Sequence, residues 1–83
     1  MDMATLRKAQ VLMERKEDPD LRLRDIKGAI AKIKGTESVT IHINGFMINN
    51  IKVKTEALIP ILEAEAYRLE SEIKSILDQI EAL

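Results

Sequence analysis

Apolar residues recur along the last third of the chain at Ile59, Leu62, Ala66, Leu69, Ile73, Ile76, Ile80 and Leu83. The alternating steps of three and four place them in one seam on a single long helix, the pattern of a heptad repeat. Pro60 disturbs the start of this element. The spacing therefore predicts a loose first turn over about 55–59 and regular helix from about 60 to 82.

Two shorter helices are predicted upstream. About 4–17 is rich in good helix formers, with Met3, Leu6, Ala9 and Met13 on one face. Asp18-Pro19-Asp20 reads as a stop and a fresh start, with Asp18 as cap and Pro19 in the first turn. A second helix over about 19–34 carries the seam Leu23, Ile26, Ile30 and Ile33 and ends at Gly35. Gly28 lies away from that seam, and either close approach of a partner or ligand or mere chance accounts for it.

From Ser38 the period falls to two. Val39, Ile41 and Ile43 alternate with Thr40, His42 and Asn44, as a half-buried strand requires. Asn44-Gly45 predicts a tight hairpin turn between strands at about 38–43 and 46–53, with Phe46 and Ile48 opposite Ile43 and Ile41. Ile51 and Val53 have the other parity, which calls for a bulge at Asn49-Asn50 or a second tight turn there. The expected fold is thus α+β and mostly helical, one domain over 1–83. Its order is two N-terminal helices, one β-hairpin and one long coiled-coil-type helix.

Charge decides how these pieces pair. Residues 1–34 carry nine Lys/Arg against six Asp/Glu, and residues 35–83 carry four against eight. A parallel pair of long helices would set Glu65 against Glu70, so the basic second helix is the better partner, packed antiparallel. The long helix is longer than that partner. Leu69, Ile73, Ile76, Ile80 and Leu83 are left as an expected self-association surface. A chain of 83 residues without cysteine has marginal stability alone, which adds weight to a homo-oligomer.

Little points to chemistry. There is no cysteine and one histidine, so no metal site and no cofactor is expected. His42 has no nucleophile or acid beside it in the sequence, and Glu63, Glu65, Glu70 and Glu72 sit where helix-flank ion pairs belong. Tyr67 falls at an outer helix position, and Met1, Met3, Met13 and Met47 suit either core filling or an adaptable surface. No apolar run is long enough for a signal peptide or a membrane span, which makes the cytoplasm the expected location.

Arg22, Arg24, Lys27, Lys32 and Lys34 form the best candidate binding set, with a salt-bridged or solvated helix face as the competing reading. The order helix, Pro-marked turn, basic helix and hairpin also fits a winged-helix DNA-binding regulator, with Lys52 or Lys54 on phosphate. The net charge of −1 and the scarcity of strand aromatics weigh against nucleic acid.

The run VTIHINGFMINNIKVKTEALIPILEAEAYRLESEIKSILDQIEAL resembles the short hairpin plus acidic heptad helix of small phage-encoded accessory proteins. That resemblance implies a compact homo-oligomer that binds a host protein or sequesters a small signalling nucleotide, with Arg22, Arg24 and Lys27 as its expected phosphate contacts and no catalytic residue. The leading expectation is therefore a non-enzymatic homo-oligomer that acts on a partner protein or a small anionic ligand. The alternative is the winged-helix regulator dimerising through its last helix.

Overall fold

The computed structural model describes residues 2–42 and 51–83. Two long antiparallel helices form a hairpin-shaped rod, and two short strands lie at their junction. The elements are α1 (Met3–Ile33), β1 (Ser38–Ile41), β2 (Ile51–Lys54) and α2 (Thr55–Glu81). The molecule is elongated, 54 × 28 × 15 Å.

The two expected N-terminal helices are one. Asp2 caps α1 by accepting a 2.7 Å hydrogen bond at Oδ1 from the Thr5 amide, and the helix then runs 31 residues without a break at Pro19. The reason lies in phase. Thr5, Ala9, Leu12, Lys16, Pro19, Leu23, Ile26, Ile30 and Ile33 continue a single alternation of fours and threes, and each is buried or half-buried. Pro19 is itself buried on this seam. A proline inside a helix costs about 3 kcal/mol, but a break there would separate segments that pack on the same partner. Two ion pairs also straddle it, Lys16–Asp20 at 2.7 Å and Asp18–Arg22 at 3.0 Å.

The same phase corrects the stripe expected on the first segment. Met3, Leu6 and Met13 are exposed, while Leu12 is buried and faces α2 with half-buried Ala9. Gly28 is exposed, and a Cβ there would meet nothing within 4 Å.

The α2 helix starts at Thr55, without the loose turn expected before Pro60. Its seam matches the heptad reading. Ala66, Leu69 and Ile76 are buried, and Ile59, Leu62, Ile73 and Ile80 are half-buried. Leu69, with 1% of its surface accessible, is the centre of a narrow core. The expected excess of long helix over its partner disappears, because α1 has 31 residues to the 27 of α2.

Gly35, at φ 90°, turns the chain out of α1. The strands pair antiparallel in the register Ser38↔Lys54, Val39↔Val53, Thr40↔Lys52 and Ile41↔Ile51. Ile41 thus opposes Ile51, not Ile48. This register solves the parity problem within the ladder itself: Val39, Ile41, Ile51 and Val53 share the half-buried face, with Thr40 and Lys52 exposed. The expected Asn44-Gly45 turn and the bulge or turn at Asn49-Asn50 lie outside the described residues.

The junction is held by hydroxyls. Thr36 Oγ1 donates to the Ile33 carbonyl at 2.6 Å and lies 2.9 Å from Thr55 Oγ1. The single hydroxyl hydrogen of Thr36 is committed to that carbonyl, so Thr55 is the donor in the second bond. The Thr55 amide donates to the Glu37 carbonyl at 3.0 Å. Thr55 is buried, and every polar group it brings into the junction is used.

Candidate docking surface

The three basic residues expected to bind phosphate are all on α1 and all exposed, but each already faces a carboxylate. Arg22 lies 3.0 Å from Asp18, Arg24 lies 3.7 Å from Asp25, and Lys27 lies 3.3 Å from Glu70. They do not converge. At 100° per residue Arg22 and Arg24 point to different sides of the helix, and Lys27 is spent on the pair that joins α1 to α2. A phosphate arriving here would have to displace carboxylates already in place.

The winged-helix order is absent, since it needs a turn at Pro19 where α1 is continuous. Lys52 and Lys54 are exposed on β2. His42 is exposed just after β1, and Tyr67 is 72% exposed on α2.

Of the four glutamates expected in flank ion pairs, Glu70 pairs with Lys27 across the helices, and Glu65 and Glu72 pair within α2. Glu65 and Glu72 both engage Arg68, which donates from Nε to Glu65 Oε2 at 3.0 Å and lies 3.5 Å from Glu72 through Nη1. The Arg68 hydrogen bond holds the Glu65 carboxyl below its ordinary range, and Glu65 with Glu72 raises the guanidinium in turn. Among the described residues no group of three or more His, Asp or Glu is placed to hold a metal ion. No described helix is long and apolar enough to cross a membrane.

The residues expected to mediate self-association are divided by the fold. Leu69 and Ile76 are buried against α1 within one chain, and Ile73 and Ile80 are half-buried there. Only Leu83 remains exposed. The premise of an uncovered α2 seam fails because α1 extends along its whole length.

What the molecule leaves uncovered is elsewhere. At the end of the hairpin remote from the strands, an open groove of about 510 Å³ runs between α1 and the last turn of α2. Val11, Leu12, Ala82 and Leu83 give it an apolar floor, and Arg7, Lys8 and Arg15 a basic rim. Met3, Leu6, Met13 and Leu77 are also exposed at this end, but Met13 and Leu77 stand two residues from Val11 and Gln79, on the other side of their helices from the groove. Two apolar sets, Met3–Leu6–Met13 and Ala9–Leu12, compete for one helix, and since both cannot face α2 the first is left exposed away from the groove. Two smaller depressions near the strands are lined chiefly by Thr36, Glu37, Lys52, Lys54 and Glu56 and have no comparable apolar floor. No family model, curated protein or solved structure matches the chain.

Proposed function

We propose that this chain is a binding module that works as a self-associated helical hairpin, acting through protein surface and not through catalysis. One observation carries the reading. The chain exposes 6656 Å² of accessible surface for a mass of 9.4 kDa, where a compact monomer of that mass exposes about 5,000 Å². Two helices side by side bury only one stripe each, so the core stays one side chain deep and the remaining apolar residues wait for a second layer. A second copy supplies that layer.

The partnered state of Arg22, Arg24 and Lys27 favours this reading over sequestration of a small anion. Sedimentation equilibrium tests it. The expected mass is at least twice 9.4 kDa at micromolar concentration. A single-chain mass at high concentration overturns it.

A further inference from the structure

Resting on the self-association reading, we infer that two copies meet at the open end of the hairpin, groove on groove, with α1 of one lying over α2 of the other. Three observations select this arrangement among the ways two such rods can pack.

The first is where the apolar surface sits. Nine large apolar side chains are exposed among the described residues, and six of them belong to the open end: Met3, Leu6, Val11, Met13, Leu77 and Leu83. Only Leu21, Ile61 and Tyr67 lie elsewhere. A partner seated on the groove covers Val11 and Leu83 with the apolar floor between them, while Met13 and Leu77, two residues from Val11 and Gln79, lie on the other side of their helices.

The second is charge. Helix α1 has eight Lys/Arg against five Asp/Glu, and α2 has two against seven. Two rods packed face to face around a two-fold axis have two choices. An axis across the helices lays α1 on α1 and α2 on α2, setting the acidic helix against itself, and carries each open end onto the partner's strand end. An axis along the helices lays α1 on α2 twice and brings open end onto open end. Charge and apolar surface choose the same axis. The basic rim of Arg7, Lys8 and Arg15 then faces the acidic helix of the second copy.

The third is area. A stable interface buries about 800 Å² per partner, roughly half of the surface by which this chain exceeds a compact monomer. The contact therefore fits within the surplus and needs no refolding of either copy.

The chain has no cysteine, so an introduced thiol is unique. Val11→Cys and Gln79→Cys, both groove positions, are prepared separately, mixed, and joined by a short bis-maleimide linker. The expected product is a covalent pair containing one of each variant, in several-fold excess over an Ile61→Cys plus Gln79→Cys control. Val11→Glu, at an exposed position, is expected to weaken association at least tenfold while the helical circular dichroism is retained. A dimer that links through Ile61 and Gln79, or that tolerates Val11→Glu, overturns this geometry and leaves self-association standing. A single-chain wild type overturns both.

Discussion

Thr36 and Thr55 share a hydrogen bond of 2.9 Å between their hydroxyl oxygens, across the point where both helices meet the strands. The two partners are not equivalent. Thr55 is buried and donates; Thr36 is exposed, accepts from Thr55 and donates to Ile33.

Their removal should therefore be unequal, and in the less obvious direction. Thr55→Val removes a donor and leaves Thr36 within reach of water, a loss of about 0.5–1.5 kcal/mol. Thr36→Val removes two bonds and strands the buried Thr55 hydroxyl, adding a desolvation cost of about 1–3 kcal/mol. Urea denaturation of both variants measures the difference. Equal losses, or a larger loss for Thr55→Val, would contradict the assigned proton positions.

Pro19 offers a test by sign. If α1 is continuous, Pro19→Ala restores a backbone hydrogen bond to the Arg15 carbonyl and recovers about 3 kcal/mol of helix propensity. It gives up about two buried methylenes, near 0.8 kcal/mol each. The net expectation is a gain of about 1 kcal/mol, read as a higher urea midpoint. A loss of stability would place Pro19 at a helix start instead.

Lys27 and Glu70 join the two helices at 3.3 Å with both side chains half or more exposed. Lys27→Glu alone should cost about 0.2–1 kcal/mol, and adding Glu70→Lys should restore most of it. The coupling from the double-mutant cycle should fade at about 1 M salt, where screening shortens to about 3 Å. A coupling of zero at low salt would mean that apolar burial alone fixes this region of the helix pairing.

Glu65 gives a pH signature. Its carboxyl is lowered from an ordinary 4.5 first by the hydrogen bond from Arg68. A carboxyl depressed on folding contributes stability that is complete above the unfolded value and is lost as pH falls through the folded one. Thermal midpoints of the wild type should drop below about pH 4.5, and Glu65→Gln should shrink that drop. Identical acid profiles would show that the Arg68 contact is absent in solution.

The α2 seam from Ile59 to Ile80 was readable because an unbroken heptad step depends only on helix geometry. The strands were readable because Val39, Ile41, Ile51 and Val53 alternate with polar neighbours. The antiparallel pairing of basic against acidic helix followed from charge, and Lys27–Glu70 is its visible trace.

Three matters were decided only by the folded chain. Pro19 reads locally as a stop, and only the packing of α1 along the whole of α2 compensates for its missing hydrogen bond. The strand register was settled by which pairing puts four β-branched side chains on one face, a choice that local turn propensity at Asn44-Gly45 does not contain. The exposed surface moved from the α2 seam to the open end for the same reason. Periodicity says which residues share a face of one helix, but the length of the facing helix decides which face is covered, and that length depended on Pro19.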